Sequence, residues 1–432
     1  MSFELGVFLT TLFLLAAIGT PIGYSILIAS ITYLTIASLD IAIASEQILQ
    51  GLYKSFVLLA VPLFIVAANI MNAGGISERL LNFCIAVVGR FKGGLGHVNV
   101  AASLVFSGMS GSAVAAAAGI GKIIIGMMRK DGRFPAGYAA AITAASATIG
   151  PIIPPSIPMV LYALVSDQSI GALFAAGIAP GLLMSAVLMF MNAVIARKRD
   201  FRAEKPVAMR DLPKVTLRAG PALLMPIILL YGIYGGITTP TEAAAVAAAY
   251  ALLLVGLFYR SLTARGLYEI LVDSARSSAS VGIVIAGAFV LNYIVITEQI
   301  PGLIANELLG LDVHPLVFLI GVNLLVLVLG CVLDATTIIL VIVPLFVPVA
   351  AKLGIDLVHF GVLIVVNSMI GLITPPYGIL LFVINAVTGI PLKEIISEIW
   401  AFLAMLILAL AIMIAFPDLL LWLPRLLLGY QG

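Results

Sequence analysis

The sequence predicts an all-α polytopic membrane protein organised as two inverted-topology repeats, each with a re-entrant hairpin and a Pro-Pro-broken helix. Three observations predict it: an apolar composition, charge-free runs along the whole chain, and a broken motif that returns 221 positions later. The 432 residues are 62% hydrophobic and 10% Asp, Glu, Lys or Arg, with a mean hydropathy of +1.22. A soluble domain carries about a quarter charged residues and roughly half apolar ones, so the excess must face lipid. The formal charge of +2, from 22 basic and 20 acidic residues, is too small for binding that rests on neutralising phosphates, which excludes a nucleic-acid partner. Cys84 and Cys331 each lie in an apolar stretch and read as buried thiols. Met1-Ser2-Phe3-Glu4 lacks a basic signal region, so the first apolar run is expected to stay as a membrane helix.

Runs free of Asp, Glu, Lys and Arg cover Leu5–Leu39, Ser55–Ser77, Val98–Gly121, Phe134–Ser166, Gln168–Ala196, Ala219–Thr241, Ala243–Tyr259, Val281–Thr297, Val313–Leu333, Ala335–Ala351, Leu357–Leu392 and Ile399–Pro417. A spanning helix needs about 20 apolar residues. Phe134–Ser166 as one straight helix would measure about 50 Å, well beyond the hydrocarbon core. Gly150-Pro151 and Pro154-Pro155 interrupt it, removing donors and turning the preceding residues away from helix. It is expected to form two half-helices around an unwound centre. Leu357–Leu392, broken at Gly371 and Pro375-Pro376, has the same form.

Basic residues gather at Arg90/Lys92, at 129–133, from 197 to 218, and at Arg260/Arg265/Arg276. The positive-inside rule places these on the cytoplasmic side. The connections 166–170, 235–242 and 297–312 lack Lys and Arg and are expected outside. Expected divisions are scaffold helices at 1–92, a first transport repeat at 93–196, a cytoplasmic connection with further scaffold helices at 197–312, a second repeat at 313–392 and a C-terminal helix at 393–432.

At the offset of 221, Ile149-Gly150-Pro151-Ile152-Ile153-Pro154-Pro155-Ser156 aligns with Ile370-Gly371-Leu372-Ile373-Thr374-Pro375-Pro376-Tyr377. The Gly/Ser-rich stretch 107–118 then falls on 330–339. The turn 129–133 holds three basic residues and 352–359 only one, the charge pattern of repeats entering from opposite sides.

Phe106-Ser107-Gly108-Met109-Ser110-Gly111-Ser112-Ala113 packs three hydroxyls and two glycines into an apolar region. Close helix packing through small residues is one reading; the other is a re-entrant tip whose carbonyls and hydroxyls bind a hard cation such as sodium. One proline suffices for a kink, but Pro-Pro with an upstream glycine leaves several carbonyls wanting a partner at membrane depth. Asp334 is the only acid between Asp312 and Asp356. It is expected to be either a functional intramembrane carboxylate or a cap for Thr336 or Thr337. Asn367 and Ser368, one turn before Gly371, are further candidate oxygen donors, whereas Asn69, Asn292 and Asn323 read as interhelical hydrogen-bond formers. Lys122 is expected to snorkel from a hairpin end, the other reading being a charge that faces an anionic substrate. His97, His314 and His359 are too scattered for a metal site, and His-Glu-x-x-His and Gly-x-x-x-x-Gly-Lys-Ser/Thr motifs are absent, which argues against metalloprotease and ATPase.

The stretches 353–362 (LGIDLVHFGV) and 367–383 (NSMIGLITPPYGILLFV) resemble the large membrane subunit of tripartite ATP-independent periplasmic (TRAP) transporters. FSGMSGSAVA at 106–115, ASATIGPIIPPS at 145–156 and AGIAPG at 176–181 agree with it, so the resemblance spans essentially the whole chain. It implies a DctM-like, elevator-type secondary transporter of the bacterial inner membrane, a transport domain moving against a scaffold. Sodium would be the coupling ion, with no other cofactor and no enzyme activity. It further implies import of a carboxylate-bearing solute, such as sialic acid or a C4-dicarboxylate, delivered by a periplasmic binding protein, with a small membrane subunit as a separate chain. Family sodium sites would fall on Ser107, Ser110, Gly150 and Pro154 in the first half and on Gly330, Gly371, Thr374 and Tyr377 in the second. Ser112 and Asp334, with Asn367, would lie nearer the substrate. The rivals are a stand-alone sodium/organic-anion symporter and, in a different class, an integral-membrane enzyme or scaffold.

Overall fold

The computed structural model describes residues 2–73, 76–201, 203, 211–310 and 313–431; the side chains of 73, 110, 131 and 308–310 also lie outside the description. Part of the connection expected at 197–218 (202 and 204–210) is therefore outside it. Among the described residues every regular element is helical.

The run 5–39 forms two helices, α1 (Phe3–Ala17) and α2 (Ile22–Ile36). Gly19, at φ +86°, and Pro21 divide them, because a positive φ costs glycine little and proline cannot continue a helix. α3 (Ala42–Lys54) bends by 76° into the apolar helix that contains α4 (Ala60–Ala73). α5 (Ile76–Val88) buries Ile76, Leu80, Leu81 and Cys84 on one stripe, the spacing of an amphipathic helix.

The first hairpin is α6 (Gly94–Ser110), a tip at Gly111-Ser112, and a return arm of α7 (Ala113–Ala116), a π-helical turn at 117–121 and α8 (Lys122–Arg129). α9 (Ala136–Ala147) and α10 (Ile157–Ser166) follow as the expected half-helices, with 148–156 unwound between them. α11 (Ile170–Lys198), α12 (Leu212–Tyr234), α13 (Pro240–Leu253) and α14 (Ala264–Thr297) are long. α13 continues through a π-helical turn to Phe258, and each of these helices is long and apolar enough to cross a membrane.

After α15 (Ile300–Gly310) comes a second hairpin of α16 (Pro315–Gly330), α17 (Ala335–Thr337), a π-helical turn at 338–342 and α18 (Val343–Lys352). α19 (Leu357–Gly371) and α20 (Ile379–Thr388) are its broken helix. The π turns at 117–121 and 338–342 are separated by 221 positions, as are the starts of α6 and α16, α8 and α18, and α9 and α19. Pro154-Pro155 and Pro375-Pro376 are both cis. The segment expected as one C-terminal helix is two, α21 (Leu392–Ala415) and α22 (Asp418–Leu428), because Pro417 stops the first.

The two hairpin-and-broken-helix units share a core. The Tyr162 hydroxyl on α10 donates to the Leu357 carbonyl on α19 at 2.6 Å, and the Tyr162 ring lies against Gly361. α1, α2, α3 and the second half of α14 instead bury Phe8, Ile26, Tyr33, Leu34, Ala44 and Ile294 in a separate hydrophobic cluster. Ion pairs lie at the ends of the long helices: Lys92 meets Asp200 at 3.7 Å, and Arg199 meets Glu398 through two bonds of 2.8 and 2.9 Å. The Glu398 hydrogen bonds hold the Arg199 guanidinium above its ordinary pKa.

Candidate functional site

Each hairpin tip is pressed against a broken centre. In the first half Gly111 turns the chain at φ +55°, and a Cβ there would lie 2.8 Å from the Pro155 carbonyl oxygen. The Ser112 carbonyl lies beside Gly150, 3.6 Å from where a Gly150 Cβ would be. Ser112 also caps the return arm, its hydroxyl accepting from the Ala115 amide at 3.3 Å. In the second half a Cβ on Gly330 would sit 3.0 Å from the Cα of Gly371. Only glycine lets two backbones approach so closely, as the two sequence motifs require.

The unwound centres leave backbone oxygens without backbone donors. Around 148–156 the local bonds run from Ile149, Gly150 and Ile152 back to Ser146, Ala147 and Ile149. The Ser156 hydroxyl takes the Pro151 carbonyl. Among the described residues, the carbonyls of Gly150, Ile153, Pro154 and Pro155 receive no backbone donor there. Around 372–378 the same holds for Ile373, Thr374, Pro375 and Pro376. Carbonyls without donors at membrane depth need a partner.

A cavity of about 440 Å³ joins these parts. The first tip lines it with Gly111 to Ala115, the second with Asp334, Ala335 and Thr336; Pro151, Ile157, Met369, Leu372 and Ile379 come from the broken helices, and Ile65, Asn69, Ser277 and Val281 from α4 and α14. The N-terminal ends of both return arms, of α10 and of α20 therefore converge on one space. Helix N-termini present amides and partial positive charge, and among the described residues no Lys or Arg lines the space while one carboxylate, Asp334, does.

The predicted residues divide accordingly. Gly150 and Pro154 sit at the first tip, and Ser107 is buried on α6 with its hydroxyl donating to Leu104. Ser110 ends α6, but its side chain lies outside the described residues. Gly330, Gly371 and Thr374 gather at the second tip, where the Thr374 hydroxyl donates to the Ile370 carbonyl at 2.8 Å. Tyr377 is 60% exposed beside Phe382. Ser112 and Asp334 line the cavity.

Asp334 is exposed to that space, and it is also a cap. Its carboxylate accepts from the Thr336 amide at 2.9 Å and the Thr337 hydroxyl at 2.5 Å. The cap is therefore present, and the carboxylate also lines the cavity. Asn367 does not line this cavity. It is buried and its amide donates to the Asn323 carbonyl and, at 3.1 Å, to Asn323 Oδ1, because position 367 lies on the face of α19 that packs on α16.

Asn69, expected as an interhelical hydrogen-bond former, donates to Ser274 on α14 at 2.9 Å and lines the cavity as well. Ser277 is a liner that the sequence did not single out, and Thr336, expected only as a capping partner, lines the cavity too. Ser274, Ser277, Ser278 and Ser280 within one helix were the available signal. Among the described residues no cluster of His, Cys, Asp or Glu could hold a metal ion. Lys122 is exposed, and His359 is buried with Nε2 3.0 Å from the Met413 carbonyl.

A cavity enclosed by broken helices among long apolar spans is the mark of a multi-pass membrane transporter. Residues 9–419 match the family described as "Tripartite ATP-independent periplasmic transporter, DctM component", and the chain belongs to that family. It is 43% identical to the sialic acid TRAP transporter large permease protein SiaM of Vibrio cholerae, over 95% of this chain and 96% of the relative. Identity to the C4-dicarboxylate TRAP transporter large permease protein DctM of Pseudomonas aeruginosa is 39%, over 86% and 87%. Identity to the sialic acid TRAP transporter permease protein SiaT of Haemophilus influenzae is 36%, over 95% of this chain and 67% of that protein. Among solved structures the YdaH transporter of Alcanivorax borkumensis, described as having an unusual topology, shares the fold at a TM-score of 0.58 and 16% identity, over 86% and 89% of the two chains. The protein is a transporter of the bacterial inner membrane rather than an enzyme.

Proposed function

We propose that this chain is the transport subunit of a sodium-coupled importer of an organic acid, supplied by a periplasmic binding protein and completed by a small membrane subunit. The observation that carries this reading is the single cavity on which both hairpin tips and both broken helices converge. Sodium would bind at the tips, where Gly111 faces the Pro155 carbonyl and Gly330 faces Gly371, because hard cations take oxygen ligands and the neighbouring carbonyls of 153–155 and 373–376 lack backbone donors. The solute carboxylate would then meet the helix N-termini in the cavity. Relatives named for sialic acid and for C4-dicarboxylates bracket the substrate class.

The separate cluster of α1, α2, α3 and α14 supports a scaffold, and the shared core of the two hairpin units supports a body that moves against it as an elevator. The matched series of elements, with a basic first turn and a near-neutral second one, supports repeats of inverted topology. Reconstitution in liposomes with the small subunit tests the proposal. Uptake should require both an inward sodium gradient and a loaded binding protein. Uptake of free solute without the binding protein would favour a stand-alone symporter, and sodium-independent uptake would remove the coupling.

A further inference from the structure

We propose that a second cavity, away from the transport site, binds the phosphate of an anionic membrane lipid. It measures about 770 Å³ and is lined by Arg79 and Asn82 from α5, Leu217 and Arg218 from α12, and Phe258 and Tyr259 beyond α13. One membrane-crossing helix begins here, at Leu212, and another ends here, at Phe258, so the cavity lies at headgroup depth.

Its polar wall is built around one residue. The Arg79 guanidinium lies 3.6 Å over the Tyr259 ring, while the Tyr259 hydroxyl donates to the Arg218 carbonyl at 3.3 Å. Tyr259 thus holds one arginine by its face and the backbone of the other by its edge. Stacking over an aromatic ring leaves the edge of a guanidinium free to donate. Among the described residues no carboxylate lines the cavity, so two positive charges and the Asn82 amide face it without an internal counter-ion. Two arginines and an amide make a donor set for phosphate oxygens. The rim supplies the rest of the ligand: Leu217 is 80% exposed and Phe258 68%, apolar surface suited to acyl chains. A basic pocket between helices at the membrane boundary fits a lipid phosphate better than a free one.

The test is native mass spectrometry of the purified full chain in neutral detergent, titrated with cardiolipin, phosphatidylglycerol, phosphatidylcholine or inorganic phosphate. Cardiolipin and phosphatidylglycerol should bind more tightly than phosphatidylcholine, and Arg218→Gln or Arg79→Gln should each weaken them about fivefold. Tyr259→Phe, which keeps the stacked ring, should retain most binding, whereas Tyr259→Leu should lose it. Arg218→Gln alters an exposed side chain and gives a folded comparison should Arg79→Gln fail to fold. Unchanged anionic-lipid binding in Arg218→Gln would overturn the proposal. So would displacement of the lipids by millimolar inorganic phosphate, which would assign the pocket to free phosphate.

Discussion

Gly330 and Gly371 meet backbone to backbone: a Cβ on Gly371 would lie 2.6 Å from the Cα of Gly330 and 2.7 Å from its carbonyl carbon. The end of a hairpin arm and the end of a half-helix are thereby locked together without side chains between them.

Gly371→Ala should therefore force the tip and the broken helix apart. Overpacking against backbone costs about 1–3 kcal/mol, so we expect roughly tenfold or greater loss of uptake in proteoliposomes. Gly321→Ala, on α16 with nothing within 4 Å of the new Cβ, should transport normally. Equal activity of the two variants would show that the close approach is irrelevant to transport.

Asp334 has two roles that substitutions separate. Asp334→Asn keeps an acceptor for the Thr336 amide and removes the charge, while Asp334→Ala removes both. Losing an N-cap costs about 1 kcal/mol, so the melting temperature should fall only in Asp334→Ala. Uptake should fall in both variants. Full uptake by Asp334→Asn would reduce the residue to a cap.

Asn367 faces Asn323 rather than the cavity. Asn367→Ala leaves the buried Asn323 Oδ1 without its donor, at a cost of about 1–3 kcal/mol. The expected result is a lower melting temperature with an unchanged apparent KM for the solute. A raised KM at unchanged stability would return Asn367 to the substrate.

Ser277 lines the cavity from α14. A larger side chain there should occupy the solute's space without disturbing the tips. Ser277→Phe should lower uptake by about tenfold, roughly 1.4 kcal/mol in binding, with sodium-dependent stabilisation retained. Normal uptake would place the solute elsewhere.

Much of this architecture was legible in the residues. Gly150-Pro151, Pro154-Pro155 and their counterparts at Gly371 and Pro375-Pro376 marked the unwound centres, because glycine and proline act on the backbone locally. The small residues from Ser107 to Ser112 marked the first tip for the same reason. The π turns at 117–121 and 338–342 carry no such signature, since Ala-Ala-Gly-Ile-Gly and Ile-Ile-Leu-Val-Ile share no pattern. The direction of Asn367 was hidden too: its spacing from Gly371 placed it near the broken centre, but which face of α19 looks inward depends on packing against α16. Asn69 and Ser277 reach the cavity from α4 and α14, outside both hairpins and broken helices, a tertiary fact that no motif records.

The central claim is that the two tips are sodium sites. Thermal unfolding of the purified transporter in rising sodium against potassium tests it most directly, since an ion that binds only the folded state raises the melting temperature with concentration. We predict a rise in sodium alone, reduced by either Gly150→Ala or Gly371→Ala and abolished by both. Equal responses to sodium and potassium in the unaltered protein would contradict the account.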